Sequence, residues 1–168
     1  MRRRDDAEFT EFALATARRM RRTAYLMCGD WHRAEDATQD ALVKVYRRWG
    51  HLQRDGRLVS YANHAVVSAV LDQSRRRWRS EVVGGVERAD TASPDATLIV
   101  DDRSVVIQAM SKLPAGQRSC LVLRFYVDLS VEQTAEILGT STSTVRSQTS
   151  RGIAHLRNLL ATPERSSK

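Results

Sequence analysis

Three groups of side chains have the types and spacing to do chemistry. Asp36, Gln39 and Asp40 stand at i, i+3 and i+4 of a helical pattern, so they share one face. Such an acidic face docks a basic partner or is simply solvated. Arg47, Arg48, Trp49 and Tyr61, followed by Arg75, Arg76, Arg77, Trp78 and Arg79, interleave cations with rings. That mixture suits single-stranded nucleic acid, because bases stack on rings while guanidinium groups track phosphates. The competing reading puts Trp49 and Tyr61 in the core, and Trp49 fits that reading best. The third group is Thr142, Ser143, Thr144, Arg146, Ser147, Gln148, Ser150 and Arg151. Short hydrogen-bonding side chains with two arginines on one helix are what a duplex major groove requires. No Asp or Glu occurs between residues 137 and 163, so nothing there repels phosphate.

The elements that must position the third group are legible from residue 130 to 157. Ser130 is an N-cap with Gln133 as its capping-box partner. Ala135 is small enough for a second helix to cross closely. Ile137 and Leu138 turn to the core, and Gly139 permits the left-handed conformation that reverses the chain. Ser141 or Ser143 caps the second helix, Val145 anchors it, and Ile153 and Leu156 continue its inner face. This is a helix-turn-helix. The competing reading is a polar helix in an ordinary helical hairpin.

Further upstream, apolar residues recur at helical spacing in 8–28 (Phe9, Phe12, Ala13, Thr16, Met20, Ala24, Met27), and Gly29 is a natural stop. Asp30 is an N-cap for a helix over about 31–49, with Ala34, Thr38, Ala41, Leu42, Val45 and Trp49 inward. Residues 50–57 read as a loop, and a third helix runs over about 58–78. Residues 80–97 lose periodicity and hold Gly84, Gly85, Pro94 and several carboxylates, the mark of a flexible acidic linker. Helical spacing resumes at Leu98, and Pro114 opens a helix to about Val127. With no strand pattern, the expected class is all-α: two small helical domains, 5–79 and 98–162, joined by the linker.

Charge agrees with that division. The 168 residues carry a net charge of +7. Residues 1–79 hold 17 Lys/Arg against 10 Asp/Glu, residues 80–112 hold 3 against 6, and residues 113–168 hold 7 against 4. Two basic ends around an acidic middle suggest two units facing a polyanion. The four histidines are scattered, and no nucleophilic or metal-ligand constellation is spaced for catalysis, so neither an enzyme nor a metal or other cofactor is expected. Cys28 and Cys120 sit in apolar helical surroundings and read as buried, reduced thiols. No apolar run approaches the ~20 residues of a membrane span. The arginine-rich start is followed by acidic residues rather than an apolar signal core, so a cytoplasmic location without membrane insertion is expected.

The run Ala34-Glu35-Asp36-Ala37-Thr38-Gln39-Asp40-Ala41-Leu42-Val43-Lys44-Val45-Tyr46 resembles region two of extracytoplasmic-function (ECF) sigma factors of the sigma-70 family. Leu113-Pro114-Ala115-Gly116-Gln117-Arg118, followed by the helix-turn-helix, resembles their region four. The segment Thr23-Ala24-Tyr25-Leu26-Met27-Cys28-Gly29-Asp30 and the tail Arg75-Arg76-Arg77-Trp78-Arg79 are similar to a short actinobacterial-type subgroup. Region three is replaced by the linker.

The resemblance implies a transcription initiation factor that binds core RNA polymerase and promoter DNA. Asp36, Gln39 and Asp40, with Val43 and Arg47 on the same helix, would meet the β′ clamp helices, and region four the β flap. Tyr61, His64, Ser68, Arg75, Arg76, Arg77, Trp78 and Arg79 would contact the −10 element and hold a flipped base. Extruding that base costs a few kcal/mol, offset by a fitted pocket. Ser143, Thr144, Arg146, Ser147, Gln148 and Arg151 would read the −35 element. The linker would thread toward the active-site cleft and RNA exit path, its acidity mimicking nucleic acid. An anti-sigma factor is a further partner the family admits. Two departures stand out. Relatives often carry Asn where Ser68 stands, and Arg where Gln148 stands. Gln pairs with adenine and Arg with guanine, so a shifted −35 preference is expected at one position. The alternative to this reading is a stand-alone helix-turn-helix regulator of response-regulator output type, which would bind duplex DNA without polymerase.

Overall fold

The structure is a computed structural model and describes residues 2–84 and 103–162. All regular elements among them are helical, and they sort into two compact units.

In the first unit, α1 (Arg2–Cys28) stops at Gly29, whose φ of +71° lets its N–H donate back to the Tyr25 carbonyl at 2.7 Å. Asp30 then caps α2 (Trp31–Arg47), its carboxylate accepting from the Arg33 N–H at 3.1 Å. Helix α2 packs against both α1 and α4 (Leu58–Gly84). Burial on two sides explains why Ala37 joins the expected Ala34, Thr38, Ala41 and Val45 in the core. Thr38 satisfies its buried hydroxyl by donating to the Ala34 carbonyl at 2.7 Å.

The expected loop over 50–57 is corrected. A short helix, α3 (Trp49–Asp55), occupies most of it and ends at Gly56 with φ +63°. Its cause is apolar: Trp49 and Leu52 are buried, and the Phe9 and Phe12 rings lie 5.3 Å from the Trp49 ring. Two inward side chains one turn apart hold a helical turn in a segment that carries glycines at both ends. Helix α4 continues through Gly84, beyond the expected end near residue 78 and four residues past Ser80, where the linker was expected to begin. Residues 85–97 of that linker, and Leu98, lie outside the described residues.

In the second unit, α5 (Arg103–Ser111) leads to Pro114 and α6 (Ala115–Leu121). The helix does not stop there but loosens into a π-helical turn, Val122–Tyr126, closed by the Val127 N–H donating to the Val122 carbonyl at 3.0 Å. Asp128 turns the chain with φ +62°, and the Arg124 guanidinium donates to the Leu129 carbonyl across the turn. Helices α7 (Val131–Leu138) and α8 (Thr142–Ala161) follow. Cys120, Ala135 and Val145 form their shared core, with Val131 and Leu138 packed on it. Among the described residues, no helix is long and apolar enough to cross a membrane.

Candidate nucleic-acid and polymerase interfaces

The caps that shape the helix-turn-helix are in place. Ser130 Oγ accepts from the Gln133 N–H at 3.0 Å, and Gln133 Oε1 accepts from the Ser130 N–H at 2.8 Å, a reciprocal capping box. Gly139 takes φ +65° at the end of α7. Ser141, rather than Ser143, caps α8, accepting from the Thr144 N–H at 3.1 Å. Ala135 and Val145 are buried where the two helices cross, as their sizes require.

This crossing sets which residues of α8 face outward. Ser143, Ser147, Ser150 and Arg151 recur at steps of three and four and are exposed, with Arg146 exposed beside them. Thr144 is exposed on the flank, its hydroxyl 2.9 Å from Ser141 Oγ. Arg146 also reaches Glu132 of α7 at 3.9 Å, an exposed pair of little energetic weight. Gln148 departs from the group. It is half-buried, and its carboxamide lies against α6: a Cβ built on Gly116 would meet Gln148 Cδ and Nε2 at 3.6 Å.

Behind α8 the contacts with α6 are close. Gly152 is buried under Leu121 and Gln117, and Gln117 Oε1 lies 3.3 Å from His155 Nδ1. Burial pushes the Cys120 thiol above its ordinary range, against a smaller opposing hydrogen bond with Thr149. Cys120 is buried as its apolar surroundings predict, but the α8 residues that meet α6 here were not read from sequence as an inward face. Their shared spacing along α8 (148, 152, 155) was the available signal, hidden because Gln, Gly and His do not read as an inward face.

On α2, the sequence-predicted acidic group forms one stripe. Asp36, Asp40, Val43 and Arg47 follow at steps of four, three and four, with Gln39 adjacent, and all are exposed. Among the described residues neither Asp36 nor Asp40 enters an ion pair, whereas neighbouring Glu35 is engaged by Arg21 at 3.2 Å. The exposed, unspent carboxylates are the ones turned away from α1.

Helix α4 divides the second, basic-aromatic group. Tyr61, His64, Ser68, Arg75 and Arg79 recur at helical steps on one flank, with Asp72 among them. The first three are half-buried; the Arg48 guanidinium lies 5.5 Å over the Tyr61 ring. Arg75 is exposed and pairs with Asp72 at 3.4 Å. Arg76, Arg77 and Trp78 stand off this flank, and Trp78 is 66% exposed with nothing packed over most of its ring. An indole left so bare beside several guanidinium groups is suited to stacking on an unpaired base.

Two separate units, each with an outward polar face of a different kind, correspond to known proteins in the same order. Residues 12–80 match the model for sigma-70 region 2, and residues 103–156 that for sigma-70 region 4. The RNA polymerase sigma-E factor of Streptomyces avermitilis is 32% identical over 91% of this chain and 85% of its own length. The chain belongs to the sigma-70 family, as an ECF sigma factor. Another relative, the ECF RNA polymerase sigma factor SigM of Mycobacterium tuberculosis, is 32% identical over 85% of this chain and 72% of its own length. Among solved structures, the sigma factor RpoE in complex with the anti-sigma factor NepR from Bartonella quintana matches with a TM-score of 0.72. That match covers 94% of this sigma factor and 99% of RpoE at 25% identity. A stand-alone helix-turn-helix regulator would leave the first unit unaccounted for, and the region-two match accounts for it.

Proposed function

We propose that this ECF sigma factor joins core RNA polymerase through the α2 stripe, reads the −35 element with α8 and opens DNA at the −10 element along α4. The observation that carries the reading is the α2 stripe. Asp36, Gln39, Asp40, Val43 and Arg47 are exposed together beside a packed face, in the unit that matches region two. Free carboxylates flanking an exposed valine complement the basic and apolar surface of a partner helix pair, here the β′ clamp helices.

Ser143, Thr144, Arg146, Ser147 and Arg151 approach the −35 duplex, the serines and threonine to phosphates and base edges, the arginines to guanine or phosphate. Tyr61, His64 and Ser68 line the flank of α4 toward the extruded base. Arg75, Arg76, Arg77 and Arg79 track the backbone, and Trp78 stacks. The factor supplies no catalytic group of its own; bond formation belongs to the polymerase. It acts in the cytoplasm, where core polymerase is. The partner in the RpoE–NepR complex makes an anti-sigma factor a fitting regulator here.

Reconstitution tests the reading. The purified factor added to core polymerase should co-elute with it and direct run-off transcripts from specific start sites. Failure to co-elute would reject the polymerase assignment, and co-elution without specific starts would reject promoter reading.

A further inference from the structure

The chemistry of the Gln148 carboxamide suits adenine, and its position in the second helix of a helix-turn-helix invites that role. Its surroundings argue otherwise. Along α8 the residues buried against the rest of the unit are Val145 and Gly152, with Thr149 and Leu156 half-buried on the same side. Gln148 lies on the border of that inner face. The exposed stripe of Ser143, Ser147, Ser150 and Arg151 turns away from it.

The carboxamide also rests against α6. Gly116 lies in the first turn of α6, and Gln148 borders the space a longer side chain there would enter, with Cδ and Nε2 3.6 Å and Oε1 3.8 Å from the Cβ position, ordinary contact distances. Below this seat the α6–α8 contacts continue. Gly152 admits Leu121 and Gln117, and His155 meets Gln117 at 3.3 Å. Gln148, Gly152 and His155 thus form one seam at steps of four and three, and Gln148 is its end nearest the start of α8. The orientation of α8 against α6 decides how its exposed stripe meets a groove.

We propose that Gln148 is a positioning residue for −35 recognition: seated on Gly116, it sets the crossing of α8 over α6 and reads no base itself. Discrimination then falls to Ser147 and Arg151, which lie on the exposed stripe. The inference rests on the −35 reading of α8 and replaces the base preference that the Gln148 side chain alone would suggest.

The test uses the full chain in holoenzyme with core polymerase. A promoter library randomised across the −35 element is transcribed and its products sequenced, giving total output and a base preference at each position. Gln148→Met keeps the length and volume of the side chain but cannot pair with adenine. It should retain the parental preference at every position and most of the output. Gln148→Ala should lower output on all sequences by a similar factor, roughly three- to tenfold, with the preference unchanged. Arg151→Ala should alter the preference. Gly116→Leu, which fills the seat, should also lower output uniformly. Combined with Gln148→Ala it should cost less than the two single losses multiplied, because the vacated space accepts the new side chain.

A preference lost at one position in Gln148→Met would overturn the proposal, as would strictly multiplicative losses in the double variant. If Arg151→Ala and Ser147→Ala also left every preference intact, the −35 reading of α8 would itself fall, a result distinct from failure of the Gln148 assignment alone.

Discussion

Gly152 of α8 lies directly beneath Leu121 of α6: a Cβ at position 152 would come within 3.2 Å of Leu121 Cγ and Cδ1, and within 3.3 Å of Gln117 Cβ. Leu121 is 5% exposed, so it has little room to yield. Gly152→Ala therefore sets a gain in helix propensity of ~1 kcal/mol against an overpacking cost of ~1–3 kcal/mol. The expected net is a destabilisation of about 1 kcal/mol of the helix-turn-helix unit, read as a lower urea midpoint by circular dichroism. An unchanged or raised midpoint would mean that the α6–α8 contact is looser than described.

Exchanging charge on the α2 stripe separates binding from folding. Asp36 and Asp40 are exposed and, among the described residues, in no ion pair. Asp36→Lys with Asp40→Lys should leave the thermal transition within about 0.5 kcal/mol of the parent, the usual range for surface changes. Core polymerase binding should fall by a factor of 100 or more, since like charges across an interface cost ~3 kcal/mol or more. Co-elution of the double variant with core polymerase would show that docking uses another surface.

The reversal between α7 and α8 depends on Gly139, whose φ of +65° crowds any Cβ against the following carbonyl. Gly139→Ala should cost about 1–2 kcal/mol and Gly139→Asn less, because Asn tolerates the left-handed region. Chemical denaturation of both variants checks the order; Ala as stable as Asn would argue against a conformational cause.

Thiol reactivity should distinguish the two cysteines. Cys120 is 2% exposed, and burial raises its pKa, so near pH ~8.5, where an exposed thiol is about half ionised, it is less ionised than an exposed thiol and shielded from reagent. A native-state titration with a disulfide reagent should leave Cys120 unmodified until denaturant is added. Cys120→Ser should abolish that late-reacting class. Prompt native labelling of Cys120 would contradict the packing around Val145 and Ala135.

Local chemistry carried much of this protein in plain view. Asp30, Ser130 and Gln133 announce helix starts because side-chain acceptors satisfy the free N–H groups within three residues of themselves. Gly29 and Gly139 announce reversals because only the absence of Cβ makes positive φ cheap. The acidic stripe on α2 follows from periodicity alone, since residues three and four apart must share a face.

Tertiary structure decided what depends on a second element. Segment 50–57 looked like a loop from its glycines, and became α3 because Phe9 and Phe12, some forty residues away, bury Trp49. Ala37 and Val67 are buried because α2 and α4 are covered on more than one side, which a single amphipathic stripe does not reveal. In the −35 group, sequence placed Gln148 among its polar neighbours by type. Only the tertiary structure sets its carboxamide beside Gly116 on another helix, because the space next to a side chain is made by elements distant in sequence.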